Sequence, residues 1–117
     1  MKTLTPVQTP SLQNFQEDKF WYFQNFIINS SSHEIITKNQ IIIRLRKKEF
    51  ELLQCLYFNP NRLINKQELL ELVWNYDLYI NTNTLEVHLC KLRNKLKKAG
   101  HKNLIETIHG AGYRFNF

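Results

Sequence analysis

Asn81-Thr82-Asn83-Thr84-Leu85-Glu86-Val87-His88-Leu89-Cys90-Lys91-Leu92-Arg93-Asn94-Lys95-Leu96-Lys97-Lys98-Ala99-Gly100 is the stretch around which the chain is organised. Leu85, Leu89, Leu92 and Leu96 recur at i, i+4, i+7 and i+11, one narrow stripe of an α-helix. Thr82 or Asn83 can cap its start and Gly100 can stop it. The opposite face carries Asn83, Val87, Cys90, Lys91, Asn94 and Lys98. Arg93 and Lys97 flank that face on one side, His88 and Lys95 on the other. One side therefore buries leucine while the other presents cations, amides and a single valine.

The charge distribution sharpens this pattern. Residues 82–102 hold Lys91, Arg93, Lys95, Lys97, Lys98 and Lys102 against Glu86 alone, a net +5, while the whole chain carries +6. A merely solvated lysine face would have glutamates interleaved at i±4. Here only Glu86 is available, so a helix facing a polyanion explains the asymmetry better.

The chain has 117 residues, enough for one domain, and 43% hydrophobic residues, enough for a packed core. A pI near 9.4 favours nucleic acid over membrane as the acidic partner. No apolar run approaches the ~20 residues of a spanning helix. The N-terminus lacks a signal-peptide segment. Cys55 and Cys90 form no CxxC, which suggests reduced thiols in the cytoplasm. His33, His88, His101 and His109 show no metal-ligand spacing. No paired carboxylates, no Ser/His/Asp grouping and no glycine-rich phosphate loop speak for an enzyme, and no cofactor or metal is implied.

In chain order, residues 1–19 read as a linker or arm, rich in Thr, Pro, Gln, Ser and Asn. Phe20 to Phe23, Phe26 to Ile28, Glu34 to Thr37 and Ile41 to Leu45 read as four short strands of an antiparallel meander. The period then changes. Phe50, Leu53 and Tyr57 mark a helix from about Lys47 to Phe58, ended by Asn59-Pro60-Asn61. A second helix starts at Asn65 with Glu68 at N3, a capping-box pattern, and carries Leu69, Leu70, Leu72, Val73 and Trp74. Asn75 to Asn81 is a loop. After the third helix, Leu104–Ile108 and Tyr113–Phe117 form a hairpin around His109-Gly110-Ala111-Gly112.

Thr84-Leu85-Glu86-Val87-His88-Leu89, Leu92-Arg93, Ile105-Glu106-Thr107-Ile108 and Gly110-Ala111-Gly112-Tyr113-Arg114-Phe115 together resemble the winged-helix DNA-binding domain of OmpR/PhoB-type response regulators. Glu49-Phe50-x-Leu52-Leu53 and Leu69-Leu70-x-x-Val73-Trp74 match the same family, and the likeness covers residues 20–117. It implies an α+β winged helix-turn-helix: an N-terminal four-stranded antiparallel sheet, three helices and a C-terminal β-hairpin wing. The third helix would lie in the major groove and the wing at the minor groove. Tyr76, Asp77 and Tyr79 would belong to the loop that meets RNA polymerase. A head-to-tail dimer on tandem half-sites is the expected assembly. Five positions depart from the family pattern: Arg46, Asn83, Glu86, Cys90 and His109. The phosphorylatable Asp of such regulators lies upstream in a receiver domain, for which residues 1–19 leave no room. Effector half and standalone domain both stay open.

The expected DNA-binding residues are Asn83, Thr84, Glu86, Val87, His88, Cys90, Lys91, Arg93, Asn94 and Lys95 on the helix, with Thr107, His109 and Arg114 around the wing. Lys91, at mid-face, can donate to guanine, and Val87 can meet a thymine methyl. His88, Arg93 and Lys95 suit phosphates, though an internal ion pair is nearly as good a reading of Arg93. Cys90 reads as a small residue that fits, since no resolving thiol is near. Two other classes remain: a winged-helix protein-interaction module without specific DNA binding, and an RNA binder. The latter would display stacking aromatics that this helix lacks.

Overall fold

The computed structural model describes residues 19–75 and 83–116. In order they form β1 (Phe20–Tyr22), β2 (Phe26–Asn29), β3 (Glu34–Thr37), β4 (Ile42–Arg44), α1 (Lys47–Tyr57), β5 (Leu63–Ile64), α2 (Lys66–Trp74), α3 (Asn83–Lys98), β6 (Ile105–Ile108) and β7 (Gly112–Phe115). The expected α+β arrangement of a four-stranded sheet, three helices and a C-terminal hairpin is present.

The first sheet runs β1-β2-β3-β4, antiparallel throughout. Its register aligns Trp21, Ile28, Ile35 and Ile43 in one cross-strand row. Alternation makes that row the inner face, and Trp21, Ile28 and Ile35 are buried. The Trp21 ring stacks on Tyr57 at 4.3 Å and on Phe50 at 5.3 Å, which docks the sheet on α1.

Three helix ends have a local cause. Arg46 offers no acceptor to cap α1, and the buried Glu49 carboxylate instead takes the Arg46 N–H at 2.9 Å. Asn65 and Glu68 complete the expected capping box: Asn65 Oδ1 accepts from Glu68 N at 2.8 Å, and Glu68 Oε1 from Asn65 N at 3.2 Å. At the end of α3, Gly100 takes φ +110°. Its N–H reaches the Lys97 carbonyl at 3.0 Å and that of His101 reaches Leu96 at 3.0 Å, a Schellman closure. Asn25 Nδ2 then donates to the Gly100 carbonyl at 2.9 Å, tying the β1–β2 turn to this end of α3.

One element departs from the sequence reading. The wing is not a free hairpin but the outer part of a three-stranded sheet, β5-β7-β6. The two residues of β5 pair Leu63 with Arg114 and Ile64 with Tyr113. A two-residue strand has no periodicity of its own, and it exists because β7 lies beside it.

Candidate nucleic-acid interface

The leucine stripe of α3 is sealed: Leu85, Leu89, Leu92 and Leu96 are all buried. That fixes what the helix shows outward. Asn83, Val87, Cys90, Lys91, Asn94, Lys97 and Lys98 are exposed, and Val87 keeps 49% of its surface in solvent. Lys91, Asn94, Lys97 and Lys98 have no hydrogen-bond or ion-pair partner among the described residues. An apolar side chain flanked by unpaired cations on a rigid helix can offer a methyl contact and several charge-assisted donors to one ligand.

The flanks behave differently. His88 Nδ1 lies 2.8 Å from the Thr84 carbonyl oxygen, so that nitrogen carries the proton and donates. Its ring packs nearly perpendicular to that of Trp74, with centroids 5.2 Å apart, which holds the imidazole against α2. Glu86 reaches across to Lys66 of α2 at 3.3 Å. Arg93 turns toward the wing: Nη2 donates to the Thr107 hydroxyl at 2.6 Å and Nε to the Ile105 carbonyl at 3.2 Å. Its partners are a hydroxyl and a backbone oxygen rather than the carboxylate that an internal ion pair would need.

Lys95 points inward. Its ammonium sits 2.5 Å from Glu49 Oε1 and 2.9 Å from the Arg44 carbonyl. Burial pushes the Glu49 carboxyl up, but the Lys95 ammonium and the Arg46 N–H more than offset this and hold it below the usual carboxylate range. Lys95 is thus half-buried and engaged by an internal ion pair, although helical spacing alone places it beside the reading face.

At the wing, Arg114 pairs with Glu106 at 2.8 Å, and that contact lowers the Glu106 carboxyl. The register sets both on the outer face of the hairpin, away from the buried Tyr113 and Phe115. His109 stands exposed in the turn. Between the wing, the first turn of α2 and the first turn of α3 lies a cleft of about 690 Å³. Glu86, Thr107 and His109 line it together with Lys66 and Gln67. The sequence reading missed the last two, although their place just after the Asn65 cap, where helix amides are unpaired, was the available signal.

Cys55 is buried, and burial pushes its thiol up to about 11, whereas Cys90 is exposed. Tyr76, Asp77 and Tyr79 lie outside the described residues. Among the described residues no helix is long and apolar enough to cross a membrane, and no group of three His, Cys, Asp or Glu could hold a metal ion.

Comparison with known proteins agrees with this fold. The family model for "Transcriptional regulatory protein, C terminal" matches residues 32–115. The response regulator SaeR of Staphylococcus aureus (strain USA300) is 43% identical over 90 residues, which are 76% of this chain and 39% of SaeR. The chain therefore spans about two fifths of the length of that relative. Among solved structures, the DNA-binding domain of Bacillus subtilis CssR has a TM-score of 0.68 at 26% identity, covering 78% of this chain and 99% of that one. The Thermotoga maritima response regulator DrrB, an OmpR/PhoB homologue, has a TM-score of 0.73 at 24% identity, covering 91% of this chain and 49% of that one. At that identity the likeness is one of fold.

Proposed function

The chain belongs to the C-terminal domain family of transcriptional regulatory proteins, which act by sequence-specific DNA binding, and we propose that it reads duplex DNA with α3 in the major groove and the β6–β7 wing at the minor groove. The observation that carries this reading is the split of α3. Four leucines are sealed inside, while Lys91, Asn94, Lys97 and Lys98 stand exposed with no partner among the described residues.

In this reading Lys91 donates to a guanine edge and Val87 meets a thymine methyl. Asn83, Cys90 and Asn94 complete the reading face, and Thr84, Glu86 and His88 border it. Thr107 and His109 approach the backbone from the wing, with Lys66 and Gln67 beside them. Arg93 and Arg114 are shared between internal bonds and the nearby phosphates. If about four phosphates are neutralised, log K falls with log[salt] at a slope of about −4. A titration against duplex DNA at several salt concentrations tests this, and a slope near zero sinks it. No feature of the described residues favours the protein-docking alternative.

The finer partners follow from the resemblance. RNA polymerase meets Tyr76, Asp77 and Tyr79, two copies bind tandem half-sites head to tail, and the protein works in the cytoplasm without catalysis of its own. Asp77→Ala and Tyr79→Ala should then lower transcription from a target promoter and spare DNA affinity. Equal losses in both would argue for a loop that only packs.

A further inference from the structure

We infer that Lys95 and Glu49 form an internal ionic pin that sets the seating of the recognition helix, so that Lys95 acts on base discrimination without touching DNA. The inference rests on the DNA reading above and assigns a positioning role to a cation of α3.

Three segments converge on this pair. The Lys95 ammonium binds Glu49 Oε1 of α1 at 2.5 Å and the Arg44 carbonyl at the end of β4 at 2.9 Å. The same Glu49 oxygen takes the Arg46 N–H at 2.9 Å, just before α1. The leucine stripe settles which side of α3 is inside, but apolar contacts are non-directional and tolerate small rotations and slides. A charge-assisted hydrogen bond has a length and an angle. Lys95 lies one turn beyond Lys91, so any rotation of α3 that strains the pin also displaces Lys91.

The pair is poorly built for stability alone. Glu49 is fully buried, and its Oε2 has no hydrogen-bond partner among the described residues. Desolvating two charges cancels most of their attraction, and an apolar replacement is often no less stable. What the pin supplies is orientation. Random DNA asks only for charge, whereas a preferred site asks for donors placed within hydrogen-bond reach of particular base atoms.

The test is the double substitution Glu49→Gln with Lys95→Met in the 117-residue chain. It removes the buried Glu49 charge together with its half-buried Lys95 partner and keeps an acceptor for the Arg46 N–H. Affinity for a selected duplex and for scrambled DNA would be measured across a salt series, with thermal unfolding recorded alongside. The expected result is a fall of about tenfold in the ratio of the two affinities, the scale of one lost base contact, with scrambled-DNA affinity and its salt slope unchanged. A preserved ratio overturns the inference. So does a parallel loss on both DNAs with a slope smaller by about one unit, which would make Lys95 a phosphate contact. If the double variant does not fold, Glu49→Asp keeps the charge and shortens the arm. A reduced ratio there supports the pin, and an unaltered ratio overturns it. Absence of any site preference in the unsubstituted protein would remove the DNA reading itself, and the pin with it.

Discussion

The Arg93 guanidinium and the Thr107 hydroxyl meet at 2.6 Å, which fastens the recognition helix to the first strand of the wing. Helix and wing, which in the proposed reading grip one duplex in two grooves, are thus held at a set separation in the protein alone. Lysine at this position keeps the charge and loses the fork that reaches both Thr107 and the Ile105 carbonyl. Arg93→Lys should lower unfolding stability by about 1–2 kcal/mol and weaken specific DNA binding while leaving the salt slope as it was. Urea denaturation and a salt series check the two halves separately. Unaltered stability would show that this link contributes nothing in solution.

The turn of the wing distinguishes two glycines. A Cβ on Gly112 would lie 2.7 Å from the Asn65 Cα and 2.8 Å from the Ile64 carbonyl carbon, in backbone that cannot retreat without parting β5 from β7. Gly110, at φ +78°, has open space around it. Gly110→Ala should cost about 1 kcal/mol, the strain of a left-handed residue. Gly112→Ala should cost more than about 2 kcal/mol, because a steric clash adds to strain. Equal losses in urea titrations of the two variants would refute the close approach of β5.

His33 gives the fold an acid sensitivity. Its ring stacks on Phe50 at 3.8 Å, and burial there lowers its pKa, with the Glu51 carboxylate pulling the other way. The folded state therefore prefers the neutral ring, and the unfolded chain takes the proton more readily. This contribution is fully present above the ordinary histidine value of about 6.5 and is lost as pH falls through and below it. Asparagine tolerates the left-handed φ of +59° at this position and does not titrate. Between about pH 7.5 and 5.5 the unsubstituted protein should lose stability more steeply than His33→Asn. Glu49, also held low, loses its contribution only in more acid solution. Parallel pH profiles for the two proteins would remove His33 from this role.

Much of this architecture was legible in the sequence because its signals are local. Leucine spacing on α3 marks the inner face, and Asn65 with Glu68 marks the start of α2. The alternation of Trp21 and Ile28 with their neighbours gives strands their two faces. What was not legible depends on neighbours distant in sequence. β5 exists only through its pairing with β7. Helical spacing sets Lys95 on a flank of the reading face, but only the approach of α1 decides that Glu49 draws its ammonium inward. Arg93 likewise has a direction only once β6 is packed against α3. Charge counting overstated the cations free for DNA for the same reason, since burial of a partner is a tertiary property.

The reading face itself is tested most directly by two lysines that carry the same charge at different places along α3. Lys91 and Lys98 are both exposed and without a partner among the described residues. Lys91 lies one turn beyond Val87, while Lys98 is the last residue of the helix, where a straight rod leaves the groove. Affinities of Lys91→Ala and Lys98→Ala would be measured on a selected site and on scrambled DNA. Lys91→Ala should cost about 1–3 kcal/mol on the selected site and relax preference at one base position. Lys98→Ala should weaken both DNAs alike and shift the salt slope by about one unit or less. Loss of both affinities by the same factor in Lys91→Ala would contradict the assignment and make Lys91 a phosphate contact.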